Sequence, residues 1–508
     1  MMSSADERYD VIVVGSGLGG LLCAVILAKQ GWKVCVLEKD KQIGGCLQTF
    51  SLRKTVFDSC VHYIGGLGEG HTLNRIFRYA GIMDKLELKE LDSNGFDRIA
   101  FADEELSYPH AVGTENFIEQ LLSYFPTEKE ALQKYVRTVK KVGDHFPLYR
   151  LRFGDASEKN LVSGWELTET LRNITSNPLL QQVLAGNNLL YAGEPGKSPF
   201  YLHALVLESY LHSAHKIVPG SSQIAKFLWR ELLSHGGVLF RNAEVVKLVE
   251  ENGKLNYAEL KDGQRFYAKQ FIANIHPAQL LSILETSVLR PAYKNRITGL
   301  KQTTSAFMVN LVLKPGCVKM RHSNLYWHAS QDAWRAPVYR PEEWPAGYAL
   351  YFTESSDYPE FAESLSVLTY MHYDEVRQWE NTLNHSGAPG DRGASYEAFK
   401  QRKSTTLLQK VFQRVPELKG NILAQSAATP LTYRDYTATP QGALYGILKD
   451  VNKPAETQVA ARTKLPNLLL TGQNVNLHGV LGVSITAVAT CSELLGMDYL
   501  LKTIKRAS

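Results

Sequence analysis

Asp58 and His62 stand four residues apart with Tyr63 next in line, and a carboxylate, an imidazole and a phenol grouped in this way can move a proton. An acid beside an imidazole favours the protonated ring, so the spacing predicts that His62 is held as an imidazolium. The same two side chains could equally serve to pin a loop, and the spacing leaves both roles open. A different chemistry is written in Gly15, Gly17 and Gly20, which fall in the GxGxxG spacing. There the first glycine permits a tight turn, the second lets backbone approach a pyrophosphate, and the third lets a helix pack closely on a strand. Glu38 follows about 20 residues further on, where a carboxylate accepts a hydrogen bond from a ribose 2′-OH and disfavours a 2′-phosphate. A second glycine-rich turn, from Gly472 and Gln473 to Gly479 and Gly482, lies near the other end of the chain.

Each of these groups needs elements to hold it. Residues 11–14 form a short β-branched run, as a strand buried on both faces should. A helix over 19–30 aims its free N–H groups and positive dipole end at the phosphates, Gly31 ends it, and residues 33–37 form the next strand, which delivers Glu38. The unit therefore reads as a dinucleotide-binding βαβ, and at this point either NAD or FAD satisfies it. Residues 467–473 read as another buried strand, followed by a helix over 481–495. A helix N-terminus there would favour negative charge at the pyrimidine end of a flavin, which tips the choice toward FAD.

Composition removes other classes. Of 508 residues, 44% are hydrophobic and 21% charged, as in a soluble globular protein, and the net charge of +5 is only weakly basic. No block of lysine and arginine points to nucleic acid, and Lys502, Lys505 and Arg506 read as a solvated tail. The six cysteines show no CxxC pair and no histidine in zinc-ligand spacing, so they read as buried thiols. Cys46 and Cys60 are too far apart in sequence for the closely spaced pair of a flavin disulfide reductase. His203, His212 and His215 match no metal-site pattern, and no metal is expected. The opening residues lack an apolar signal core, which predicts the reducing cytoplasm. The uncharged stretch ending at Ser492 is broken by Pro466, Asn467, Gln473, Asn474 and His478 and cannot span a bilayer.

With no internal repeat and no long linker, the chain is expected to interleave two domains. The predicted class is α/β, with a Rossmann-like nucleotide domain from residues 1–72, 216–290 and 421–508 and an α+β substrate domain from 73–215 and 291–420. Residues 73–211 read mostly as amphipathic helices. A helix begins near Ser222, and Lys261-Asp262-Gly263 marks a hairpin. Val245 lies on the strand before that hairpin, where adenine contact and core packing explain it equally.

The GxGxxG unit ending in Glu38, paired with Leu469-Leu470-Thr471-Gly472-Gln473 and His478-Gly479-Val480-Leu481-Gly482, resembles the phytoene dehydrogenase-related flavoproteins, of amine-oxidase type. Five further stretches carry the likeness: Gly44-Gly45-Cys46 with Thr49-Phe50; Phe57-Asp58 with His62-Tyr63-Ile64-Gly65; His203 to Val206; Gly220-Ser221-Ser222; and Thr429 to Thr432 with Ala443 to Gly446. They cover nearly the whole chain and are most similar to the retinol saturase branch. The resemblance implies tightly held FAD, with Gly44 and Gly45 among its contacts, and a hydrophobic polyene substrate. Reduction of one C=C bond needs hydride from the flavin and a proton, for which His62 or Tyr63 is the candidate donor. With no second GxGxxG, NAD(P)H would bind only transiently or be replaced by another donor. Two departures stand out: Cys46, where many desaturases of the family carry a basic or hydroxyl residue, and Gln473, near a position where they carry an acid. Rival readings are a desaturase or cis-trans isomerase on the same scaffold and, in another class, a lipid-binding chaperone of Rab-escort type. A lipid-borne substrate also implies peripheral membrane contact.

Overall fold

The structure, a computed structural model, describes residues 8–102, 104–155, 157–385 and 390–507. The first seven residues, on which the reading of no export signal rests, and part of the polar loop expected over 381–392 lie outside the described residues.

In chain order the strands are β1 (Arg8–Val14), β2 (Val34–Leu37), β3 (Thr49–Leu52), β4 (Thr55–Asp58), β5 (Ile64–Gly65), β6 (Leu88–Glu90), β7 (Asp97–Phe101), β8 (Ser107–His110), β9 (Ala214–Ile217) and β10 (Val238–Phe240). There follow β11 (Val245–Glu251), β12 (Lys254–Leu260), β13 (Arg265–Ala273), β14 (Leu284–Glu285), β15 (Ser305–Leu313), β16 (Asn324–His328), β17 (Gly347–Glu354), β18 (Ala362–Met371), β19 (Ile422–Ala428) and β20 (Leu468–Leu470). One eight-stranded sheet runs β10-β2-β1-β13-β12-β11-β14, with β20 also against β13. Its nucleotide end is parallel: β1 pairs β2 from Val11 to Val14 and β13 from Arg8 to Val14, and β20 pairs the last residues of β13. The period of two along β1 puts Val11 and Val13 in one core and Ile12 and Val14 in the other, on opposite faces of the sheet.

The helix Leu18–Ala28 is apolar on every side and every residue in it is buried. It has cover on two flanks, from the helix Ser222–Ser234 and from the helix Gly479–Leu495. A seven-stranded sheet, β19-β15-β18-β17-β16-β7-β8, forms the second layer system. Next to its edge strand, β15 is buried along its whole length, between antiparallel β18 and β19.

The structure differs from the expected organisation in the content of one segment and in one boundary. The stretch 73–211 contains β6, β7 and β8 as well as helices, and β7 and β8 complete the second sheet. The helical repeats on either side dominate the pattern there, whereas five residues of β7 are too few to show a period. The segment 421–508 opens with β19, an edge strand of the second sheet, so sheet membership moves that boundary past Ala428. Small residues such as Ala424, Ser426 and Ala427 give β19 no strong strand signature of its own.

Candidate functional site

At the carboxyl ends of β1 and β2, where open parallel sheets place their ligands, lies a cavity of about 370 Å³. Gly15, Gly17, Glu38, Gly44 and Gly45 line it from the first βαβ unit and the turn beyond. Val245, Gly472 and Gln473 line it from later in the chain. Gly15 has φ of +94°, and a Cβ there would lie 3.0 Å from the Asn274 carbonyl oxygen. A Cβ on Gly45 would lie 3.3 Å from the Gly17 Cα, so the floor between these turns is bare backbone. The helix Leu18–Ala28 starts at Gly17 with no side chain capping its free N–H groups.

Glu38 is nearly buried. One carboxylate oxygen accepts from the Ser16 N–H at 2.8 Å and the Ser16 hydroxyl at 2.5 Å, and the other accepts from the Asp40 N–H at 3.0 Å. An ionised carboxylate offers about four acceptor sites, so a further donor can still be taken from the cavity side. Asn274, at the end of β13, ties the glycine turn together. In the orientation that satisfies both ends of its amide, its oxygen accepts from the N–H groups of Gly17 and Gly20, each at 3.2 Å.

Two of the singled-out glycines sit elsewhere. Gly20 does not line the cavity; a Cβ there would come within 2.2 Å of the Gly15 carbonyl oxygen, so it serves close packing of helix on strand. Gly482 lines a second cavity of about 130 Å³. That cavity is walled by His62, Tyr63, Tyr351, Leu202, Leu205 and Leu477, among others. The two cavities share Cys60, Val61, Tyr445, Gly479 and Val480, so the glycine-floored space adjoins an aromatic and aliphatic one at the start of the helix Gly479–Leu495.

His62 and Tyr63 both reach this second cavity, in very different electrostatic settings. Asp58 does not face His62: its carboxylate accepts from the Ser221 N–H at 2.7 Å and hydroxyl at 2.6 Å. Burial raises Asp58 to about 6, against the pull of those hydrogen bonds and of Lys216. Burial, reinforced by the charge of Lys216, lowers His62 to about 3, so its ring is neutral. The imidazolium expected from the Asp58–His62 spacing is therefore corrected, because hairpin geometry turns the acid toward Ser221. The His62 ring stacks on Tyr351 with centroids 4.4 Å apart, and its Nε2 is buried without a hydrogen-bond partner.

Tyr63 belongs to a buried chain of hydroxyls. Its phenol lies 2.8 Å from the Asp97 carboxyl and 2.7 Å from the Tyr326 hydroxyl, which in turn lies 3.3 Å from that of Tyr351. Asp97, at the start of β7, is fully buried, and its other oxygen accepts from the Asn324 amide at 3.0 Å. Burial raises Asp97 to about 7, with the hydrogen bonds from Asn324 and Tyr63 opposing. Burial first, then the charge of Asp97, pushes Tyr63 well above the ordinary phenol range. The arrangement is a protonated phenol at a cavity wall, backed by a carboxyl that can hold a proton near neutrality.

The three histidines weighed as metal ligands have other occupations. His203 is buried between the hydroxyls of Tyr135 and Tyr191, at 2.6 and 3.1 Å, and His212 stacks on His71. His215 lies on β9, opposite Ile64. Among the described residues no group of three or more His, Cys, Asp or Glu side chains is placed to hold a metal ion. Tyr326 and Tyr351 escape sequence reasoning because each lies on an aromatic-rich strand that reads as core, and Asp97 because β7 is too short to show a period. Cys46 and Cys60, separated in sequence, end up side by side on the wall of the larger cavity.

Residues 13–80 match the family described as NAD(P)-binding Rossmann-like domain. An all-trans-retinol 13,14-reductase of Rattus norvegicus is 28% identical to the chain over 539 residues, covering 97% of it and 87% of the relative. A chloroplastic prolycopene isomerase 1 of an Oncidium hybrid cultivar is 24% identical, covering 86% of the chain and 75% of the relative. Among solved structures, wild-type putrescine oxidase bound to putrescine shares the fold, with a TM-score of 0.65 at 13% identity over 96% of this chain and 99% of that one. The likeness to the phytoene dehydrogenase-related family read from the motifs thus extends over almost the whole chain, with the retinol reductase the nearer of these two relatives.

Proposed function

We propose that the protein is a flavin-dependent oxidoreductase that saturates one C=C bond of a retinol-like or carotenoid-like polyene. The observation that carries this reading is the junction at Cys60, Val61, Tyr445, Gly479 and Val480, where the glycine-floored cavity meets an apolar one. The near-full-length likeness to all-trans-retinol 13,14-reductase supports the substrate class.

The bare backbone of Gly15, Gly17, Gly44 and Gly45 suits a pyrophosphate, and Glu38 suits the adenosine ribose. Val245 stands on the adenine side, while Gly472 and Gln473 offer N–H and amide groups to the ribityl chain. Gly20 and Gly482 act at one remove, by close packing. FAD held there would supply hydride to one carbon of the double bond. Tyr63 supplies the proton to the neighbouring carbon, and Asp97, protonated, returns one to Tyr63 through their shared hydrogen bond. His62, neutral and stacked on Tyr351, shapes the wall rather than donating. Apolar side chains keep water out, so hydride is not lost to solvent. The free N–H groups at the start of the helix Gly479–Leu495 favour negative charge at the flavin's pyrimidine end.

No second GxGxxG occurs, so NAD(P)H would bind only transiently or be replaced by another electron donor. No helix among the described residues is long and apolar enough to cross a membrane. On this reading the lipid-borne polyene is taken up by peripheral membrane contact. A second reading, cis-trans isomerisation of a carotenoid, is favoured by the likeness to prolycopene isomerase. Anaerobic mixing of reduced protein with all-trans-retinol separates the two. Loss of the polyene chromophore with flavin reoxidation supports saturation, and a spectral shift without reoxidation supports isomerisation. Purified protein that stays colourless and takes up no FAD ends both.

A further inference from the structure

Cys46 and Cys60 are 14 positions apart, yet the β3–β4 hairpin folds them together. Its ladder pairs Thr49 with Asp58, and the Ser59 N–H continues it by donating to the Gln48 carbonyl at 3.1 Å. That register lays Cys60 against the single turn Gly45–Leu47, which carries Cys46. Both thiols are half-buried, and both line the glycine-floored cavity. Both also line a third cavity of about 50 Å³ with Met308, Tyr433 and Gln473, and Cys60 reaches the aromatic cavity as well.

The two sulfurs are unequal. A hydrogen bond from Cys60 holds the Cys46 thiol below the usual range despite burial, and the same contact with burial pushes Cys60 well above it. The contact thus favours ionisation of one sulfur while its neighbour keeps the proton, the division of labour a reactive dithiol needs. The other cysteines are placed differently. Cys23 and Cys491 also adjoin, but are sealed in the contact between the first helix and the helix Gly479–Leu495; Cys35 is buried in β2, and Cys317 is exposed and far along the chain.

We propose that Cys46 and Cys60 are a redox-active dithiol that passes electrons to the bound flavin and is restored by an external dithiol reductant. The proposal rests on the flavin reading and supplies what that reading lacks, a source of electrons without a second nucleotide site. The balance is simple. Two S–H bonds break and one S–S bond forms; the two electrons and two protons released reduce the flavin ring. A dithiol of small-molecule or thioredoxin-like class then attacks the disulfide through its thiolate and leaves as the oxidised partner, returning both cysteines to thiols.

The test uses the full chain as purified with its flavin. Wild type, Cys46→Ser and Cys60→Ser are mixed anaerobically with dithiothreitol, and separately with dithionite, while the visible flavin band is followed. Dithiothreitol is expected to bleach wild type and to bleach each variant at least about tenfold more slowly, while dithionite bleaches all three alike. In parallel, wild type treated with diamide is alkylated, digested and mapped by mass spectrometry; a Cys46–Cys60 cross-link that dithiothreitol removes is expected. Variants bleached by dithiothreitol at the wild-type rate, or flavin-loaded protein with both thiols unlinked after diamide, overturn the dithiol. Protein that carries no flavin overturns the flavin reading instead.

Discussion

Replacing Asp97 by Asn gives the sharpest test of the proton chain. The amide is isosteric: its oxygen accepts from Asn324, and its N–H₂ stands where the carboxyl oxygen meets the Tyr63 hydroxyl at 2.8 Å. What it removes is the titration. Burial raises Asp97 from 3.8 to about 7, a displacement of roughly three units. At about 1.4 kcal/mol per unit, that is on the order of 4 kcal/mol of linkage. The sign follows from proton binding. Between pH 4 and pH 7 the folded protein holds a proton on Asp97 that the unfolded chain has released, so the stability this group contributes is complete below about pH 4 and is lost as pH rises through about 7. Unfolding free energies from urea titrations of wild type and Asp97→Asn, measured from pH 4 to pH 8, are the assay. Asp58 and Glu208 are also raised by burial, but they are present in both proteins and cancel in the difference. The wild-type advantage should fall by about 1.4 kcal/mol per unit and level off above about pH 7. A difference that stays flat across the range refutes a neutral Asp97, and with it the reserve of protons behind Tyr63.

Tyr63→Phe should cut turnover by about 10²–10⁴-fold, the usual worth of a general acid, with FAD still bound. His62→Ala should cost far less and leave the pH profile between 5 and 8 unchanged, since His62 titrates at about 3; rapid-mix kinetics on both variants decide between them. Glu38→Ala removes a charge-assisted bond and strands the Ser16 N–H, so FAD affinity by fluorescence titration should drop by about 1.5–3 kcal/mol. Gly17→Ala would set a Cβ 2.8 Å from the Asn274 amide and displace the side chain that ties the glycine turn together; the protein should fold, by circular dichroism, yet emerge without flavin.

Much of the fold is legible from local pattern. The run from β1 to Glu38 is a single βαβ whose every part obeys a short-range rule, and the hairpin at Lys261-Asp262-Gly263 is announced by its turn. The helices Ala394–Arg414 and Gly479–Leu495 are legible for the same reason, whereas Met497–Arg506, read as a solvated tail, is a helix that buries Leu500, Leu501 and Ile504. What fails is anything set by pairing across hundreds of residues. β7 takes Asp97 beside Asn324 through a parallel ladder to β16, and no periodicity in either segment reveals the partner. The Asp58–His62 expectation fails because four residues on a chain leaving a hairpin need not face one another. Linear spacing separates Cys46 from Cys60, although a tight hairpin folds the intervening residues back on themselves.

The first helix has a consequence for synthesis. Leu18–Ala28 is made early, but one of its two covers, the helix Gly479–Leu495, leaves the ribosome some 450 residues later. Throughout translation the nascent chain carries an eleven-residue apolar segment with one flank bare, a natural binding site for chaperones. Stopping synthesis before residue 479 should yield aggregation-prone product rather than a shorter nucleotide-binding protein.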